Sequence, residues 1–320
     1  MCRILLACTL SLAIYIGAFA WLLDRPLSLG AVRARIEAGV ILGATVRGPK
    51  LLILAGSNGP FSHRCETIGP IVKRPCINAG VAVGVGLDYL FARWKPLLHA
   101  GDVVYLPLEE VQYIRSRATA DLGPDAAIML RHDRATLWTL SVQRQIAAVF
   151  AADLRAAIMS LIETALSERG VDDLRAAAGG GSNAMGDHIG HTAALAAINR
   201  STLAAIVPFH PTAAQIRSGY GTAEVVDFLD WAASHEVYAI GGLSTGFSDS
   251  PIGDASVAAI RAIYHDHGGG FLELPNRSRY PRTAFFDTQD HLNEPAQIVH
   301  STAIGDALVR LMDRRQARSP

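Results

Sequence analysis

The sequence has no surplus of charge of either sign: 29 lysines and arginines face 29 aspartates and glutamates along 320 residues. A protein that grips nucleic acid needs a cationic face for the phosphates, so this balance, with no basic run, argues against that class of partner. Low-complexity tracts and fixed-period repeats are missing, which argues against solenoids and propellers. Cysteine is scarce. Of the four present, Cys2 and Cys8 lie in the N-terminal leader, leaving Cys65 and Cys76 for the folded part. Two cysteines without closer pairs or a second ligand set do not make a zinc site. GVGLDYL has glycines but no following Lys-Ser/Thr, so no phosphate loop is expected.

What is present begins with an apolar leader. Residues 4–23, ILLACTLSLAIYIGAFAWLL, carry no charge over a length sufficient to cross a bilayer as a helix. Arg3 precedes the stretch and Asp24-Arg25-Pro26 closes it, a pattern that fits an export signal. The small-residue site Ala18-Phe19-Ala20 lies inside the apolar run, which favours retention as an anchor. Leu5-Leu6-Ala7-Cys8 resembles a lipoprotein box, but the leader before it is too short. If the folded part lies outside the cytosol, Cys65 and Cys76 can form a disulfide; two buried thiols are the equal alternative.

The expected fold class is α/β: a three-layer, doubly wound parallel sheet behind an N-terminal transmembrane helix. Residues 1–25 form the signal anchor, 26–47 a helical connector, and 48–320 one α/β domain with a helical insertion at about 115–180. Residues 51–55 read as a buried strand because the run is short, continuous, apolar and bounded by glycine. Residues 76–79, 103–106, 237–240 and 271–274 read likewise. Helices are expected at 87–98, 222–235, 255–267 and from Pro295 onward. The alternation points to a parallel sheet with helices on both faces.

The first strand ends in LLILAGSNGPFS, which sets Ser57 just beyond the carboxyl end of a strand, where open parallel sheets hold ligands. A serine hydroxyl is a poor nucleophile until a base takes its proton, normally a histidine oriented by a carboxylate. AFFDTQDHLNEPAQ supplies Asp287, Asp290 and His291 just before the last helix. Asp287 is preferred as the orienting acid and Asp290 is the alternative, because a residue adjacent to His291 has difficulty turning its carboxylate onto the same ring. Asp187, His188 and His191 in NAMGDHIGH suit a carbohydrate cleft; as metal ligands they lack a second set. His265 and His267 read as the end of a helix. Adjacent Glu109 and Glu110 point in opposite directions near a strand end, so they cannot flank one glycosidic bond.

Four blocks in order, LAGSNGPFS, NAGVAVGVGLDYL, GDVVYLPLEEVQY and FFDTQDHLN, resemble the SGNH (GDSL-type) hydrolase superfamily. Their nearest likeness is to bacterial membrane-anchored members that modify cell-surface polymers, such as D-alanine-transfer and alginate-acetylation proteins. The resemblance implies Ser57 as nucleophile, His291 as general base, and the N–H groups of Ser57 and Gly80 as oxyanion donors. Asn78 would support the second block, and Asn58 would contact substrate. Glu109 stands where the third block normally presents an asparagine, and a carboxylate cannot donate a hydrogen bond unless protonated. Asn58, Asn78, Glu109, Asp187 and His188 are therefore the candidates for substrate contact.

The implied function is a serine esterase or O-acyltransferase acting on an exported, acylated polysaccharide, with no metal or organic cofactor. The implied location is the inner membrane, single-pass, with the domain in the periplasm. A catalytically silent scaffold of an exopolysaccharide-synthesis assembly is the competing expectation. A lipid-active esterase is a third, and no lid segment stands out in support of it.

Overall fold

Five short apolar strands pair in parallel in the computed structural model: β1 (Leu51–Ile53), β2 (Cys76–Asn78), β3 (Val103–Leu106), β4 (Tyr238–Gly242) and β5 (Gly270–Leu272). The order across the sheet is β2-β1-β3-β4-β5, with Leu51 opposite both Cys76 and Val103. The structure describes residues 2–22, 27–115, 124–149 and 181–317. Each strand of this sheet is almost wholly buried, which is why it reads as a continuous apolar run rather than an alternation.

Side chains alternate across the sheet, and that alternation assigns the helices to faces. Leu51, Ile53, Val103, Tyr105, Ile240 and Leu272 share a core with α4 (Cys65–Val72) and the C-terminal helix α9 (Glu294–Gln316). Gly241, one residue on from Ile240, faces the other way and meets the Tyr264 ring of α8 (Asp254–Asp266). On that side α7 (Tyr220–Ser234) packs on α5 (Leu87–Trp94), with Phe228 stacked on Phe91 at 4.3 Å. Between β1 and α4 runs one turn of helix, α3 (Asn58–Ser62), and after β3 comes α6 (Glu110–Ile114).

Strand positions follow the sequence expectation, and the ends differ by a residue or two where the chain leaves the ladder for a loop. The stretch expected as one helix over 87–98 is α5 followed by a 3-10 turn at Lys95–Leu97, because Pro96 cannot supply the next N–H. The loop expected near 181–191 contains a two-residue antiparallel pair, Gly181–Ser182 with His188–Ile189. Cys65 and Cys76 are bridged, tying the start of α4 to β2. A cross-link over so short a loop stabilises by about 2–4 kcal/mol.

The chain divides into two units: residues 35–116 with 178–320, which hold the sheet, and residues 1–34 with 117–177. In the second unit the described helices are α1 (Cys2–Leu22), the first part of α2 (Leu27–Thr45), Pro124–His132, Arg134–Thr139 and Val142–Val149. Asp133 caps one of these through Thr136, and Arg144 is paired in the interior with Asp125. Most of the Ala-rich run expected as helix, 147–166, lies outside the described residues. α1 exposes Ile4, Leu5, Leu6, Leu10 and Ile14. Among the described residues no helix is long and apolar enough to cross a membrane.

The opposite end of the sheet from the candidate site is held by a buried ion pair. Lys50 Nζ lies 2.6 Å from Asp102 Oδ2, and the same carboxylate accepts the Lys50 and His99 amides at 2.9 Å. Removing one partner leaves the other charge uncompensated. Lys50→Met should cost about 3–5 kcal/mol in a denaturant titration, and adding Asp102→Asn, which removes the charge but keeps an acceptor for the amides, should recover part of that loss.

Candidate active site at the carboxyl edge of the sheet

Strand order reverses at β1: the chain steps outward to β2, then returns across β1 to β3. Loops after β1 and β3 therefore diverge to opposite faces and leave a crevice between them. Ser57 follows β1, Gly80 follows β2 and Glu109 follows β3, so three of the expected residues are delivered to this crevice. Ser57 sits at the N-cap of α3 with φ −64° and ψ −20°, an unstrained backbone.

The β1 and β2 loops touch backbone to backbone. A methyl group on Gly80 would lie 2.6 Å from Pro60 Cδ, 2.8 Å from Gly59 Cα and 2.9 Å from the Gly56 carbonyl oxygen. A methyl on Gly59 would meet Gly80 Cα at 2.8 Å. Only glycine fits at this crossing.

Glu109 fills the space beside Gly56, where a Cβ on the glycine would overlap the carboxyl. Its Oε1 accepts from the Asn58 amide at 3.3 Å and from Ser57 Oγ at a long 3.4 Å. Gln112 Oε1 accepts the Gly56 and Glu109 amides, at 3.1 and 3.0 Å, and so locks the β1 and β3 loops together. Burial pushes the Glu109 carboxyl above its ordinary value, opposed by the nearby His291 charge and the bonds from Asn58 and Ser57.

The loop carrying Asp287, Asp290 and His291 is closed by a bridge between Phe285 and Leu292 and by the Phe286 amide donating to the His291 carbonyl at 2.8 Å. Asp287 Oδ1 lies 2.6 Å from His291 Nδ1. A carboxylate accepts only, so Nδ1 carries a proton and the ring presents Nε2 on its other edge. Asp290 acts through its backbone: its carbonyl accepts Ser62 Oγ and Thr245 Oγ1, each at 2.7 Å. Its carboxyl is pushed well up by burial and by repulsion from Glu109 and Glu110, with Arg279 opposing.

Phe61, one turn after Ser57 on α3, stacks on the His291 ring at 4.1 Å and 10° and on the His188 ring at 4.0 Å and 29°. Two rings stacked that closely on one phenyl must occupy its opposite faces. Thus Ser57 and His291 share one rim, both beside Glu109. Among the described hydrogen bonds, the Ser57 hydroxyl is engaged by Glu109 and not by His291.

The remaining expected contacts divide by what already occupies them. Asp187 is buried and takes four donors: the Cys65 and Glu66 amides at 2.8 and 3.1 Å, Asn78 Nδ2 at 3.1 Å and Asn183 Nδ2 at 2.9 Å. It caps the first turn of α4 rather than facing a cleft. Asn78 is buried as well, donating to Gly59, His63 and Asp187 and accepting the Gly80 amide at 3.3 Å. Asn58 donates to the Pro107 carbonyl at 2.7 Å. His188 stays half-buried against Phe61, and His191 packs edge-on to Phe61 and Phe286. Burial, then the neighbouring His188, lowers the His191 pKa to about 4.

A second serine-histidine-carboxylate row is invisible in the sequence, because its members are far apart along the chain. His210 Nδ1 lies 2.7 Å from Glu110 Oε2, and His210 Nε2 lies 3.1 Å from Ser250 Oγ and 3.0 Å from the Ser250 carbonyl oxygen. Arg279 donates to the other Glu110 oxygen at 2.8 Å. A carbonyl beside Nε2 calls for an N–H there, and Glu110 calls for one at Nδ1. The row therefore suits an imidazolium that straps two loops to α6, not a base poised over a nucleophile.

No family model matches the chain, and neither a curated protein nor a solved structure does. Among the described residues no cluster of three or more metal-ligating side chains occurs. What the edge can do chemically is deprotonate a hydroxyl: an oriented imidazole, a serine on the same rim and an adjacent carboxyl.

The bond to Glu110 raises the His210 pKa, with burial opposing. A raised folded pKa contributes stability that is whole below the ordinary value and lost as pH climbs through the raised one. The melting difference between wild type and His210→Ala should be largest below about pH 6 and shrink as pH rises, at less than about 1 kcal/mol because the ring is partly solvated. A thermal-melt series across pH reads this directly.

Proposed function

We propose that the chain is an envelope-anchored serine esterase or O-acyltransferase of SGNH type, acting on an acylated, exported polysaccharide. The observation that carries the reading is the Asp287–His291 pair at 2.6 Å, on a loop clamped by Ser62 and Phe61 of the helix that Ser57 begins. Ser57 Oγ attacks the ester carbonyl and passes its proton to His291 Nε2, and Asp287 holds the imidazolium. The N–H groups of Ser57 and Gly80 take the oxyanion. Gly80 N–H is held by Asn78 only at 3.3 Å, a bond that a full negative charge would outcompete. Water or a sugar hydroxyl then releases the acyl group.

Two features support export. The uncharged leader of residues 4–23 serves as the membrane anchor in this reading, and the Cys65–Cys76 bridge suits an oxidising compartment such as the periplasm. Polysaccharide rests on the sequence resemblance.

One observation favours the competing, silent scaffold of a polysaccharide-synthesis assembly: the Ser57 hydroxyl is engaged by Glu109 rather than by the imidazole. The two readings separate on the purified chain. An active enzyme hydrolyses p-nitrophenyl acetate, is labelled at Ser57 by a fluorophosphonate, and loses at least about 10³-fold in rate in Ser57→Ala and His291→Ala. Wild type and Ser57→Ala equally inert toward that ester and toward acetylated glycans would support the scaffold.

A further inference from the structure

The crevice holds one group that the acyl-transfer steps above leave without work. Glu109 is 5% exposed, and its carboxyl lies against the Ser57 hydroxyl and the Asn58 and Ser57 amides. Among the described ion pairs none includes it. Arg279 and His210 are both bonded to Glu110, the adjoining residue and the first of α6. The loop packed opposite presents His291, whose Nδ1 is bonded to Asp287, and a second buried acid, Asp290. An anion at Glu109 would therefore face Asp290, and would face a second negative charge whenever an oxyanion formed at Ser57.

We propose that Glu109 works as a neutral carboxylic acid that donates its O–H to the oxyanion, making it a third donor beside the backbone N–H groups of Ser57 and Gly80. This rests on the acyl-transfer reading. A protonated carboxyl can accept the Asn58 N–H on one oxygen and donate from the other, which an ionised one cannot do. Desolvation and the mutual repulsion of two buried acids favour keeping that proton. The upward direction of the Glu109 pKa agrees, with the His291 charge as the opposing influence.

The step balances. The Ser57 Oγ–carbon bond forms, the serine proton goes to His291 Nε2, and the carbonyl π pair moves to the oxygen that Glu109 and the two amides hold. When the tetrahedral intermediate collapses, the bond to the leaving oxygen breaks and His291 returns the proton to it. Glu109 keeps its own proton throughout.

The test is the pH dependence of p-nitrophenyl acetate hydrolysis by the full chain, with fluorophosphonate labelling of Ser57 alongside. Wild type should give a profile with an alkaline limb from Glu109 losing its proton. Glu109→Gln, which keeps N–H donors in the same space, should lose about tenfold or less at the optimum and lack the alkaline limb. Glu109→Ala should lose about 10²–10³-fold. A Gln variant that is inactive at every pH while Ser57 still labels, or that keeps the wild-type alkaline limb, overturns the inference.

Melting curves test the proton without activity. A raised folded pKa means that the wild-type contribution is complete below about pH 4.5 and is lost as pH rises through the raised value. Glu109→Gln should therefore gain on wild type with rising pH, and a pH-independent difference contradicts a neutral Glu109. Failure of wild type both to turn over ester and to label at Ser57 would sink the acyl reading and this role with it, whereas the melting curves would still report the proton.

Discussion

The candidate site depends on a backbone crossing. β1 and β2 lie side by side, and the loops that leave them meet where Gly59 and Gly80 oppose each other with no room for a methyl group on either. Neighbouring parallel strands run about 4.8 Å apart, so loops leaving them can touch only if side chains are absent at the crossing. That contact fixes where α3 begins, and so where Ser57 stands. It also brings Asn78 under the turn, where its amide binds the Gly59 and His63 carbonyls from below. A hydroxyl on a floppy loop would need ordering with each encounter; here the ordering is complete in the fold.

Three acids at this edge illustrate different ways of burying a carboxyl. Asp187 is met by four N–H donors, two of them the free amides at the start of α4, so its charge is solvated by the protein. Glu110 is met by Arg279 and His210, so its charge is paired. Glu109 accepts from the Ser57 hydroxyl and from the Asn58 and Ser57 amides, has no partner among the described ion pairs, and is pushed up by burial. Glu109 is the N-cap of α6 and Glu110 its first residue, and the change of backbone direction there sends the two carboxyls to different surroundings.

The sheet was legible because each strand is a short apolar run ended by glycine or a charged turn, and burial on both faces leaves no other use for such runs. Val103–Leu106 matches residue for residue, whereas the apolar run at 51–55 outlasts its three-residue strand because Leu54 and Ala55 are buried in the loop. Close spacing along the chain made Asp287 and His291 readable as neighbours. Asp187 misled for a physical reason: a loop rich in glycine and polar residues looks the same whether it faces a ligand or caps a helix. The Glu110–His210–Ser250 row had no signal at all, since its members are brought together only by the way β3, the segment before α7 and the loop after β4 converge. Phe61 was equally silent, an ordinary apolar residue until its two imidazole neighbours are known.

Phe61 deserves weight beyond packing because it joins two parts of the site mechanically. Ser57 and Phe61 are one helical turn apart on α3, a spacing that puts them on the same side of a short, buried segment. The phenyl ring lies flat on His291, and His188 closes its other face. The imidazole is then restrained twice, in its plane by Asp287 at Nδ1 and perpendicular to it by the stack. Displacing the His291 ring therefore requires moving the same helix that carries Ser57. The two residues come from opposite ends of the sequence, yet one short helix restrains both, and the bond from Ser62 to the Asp290 carbonyl adds a polar tie to the apolar one.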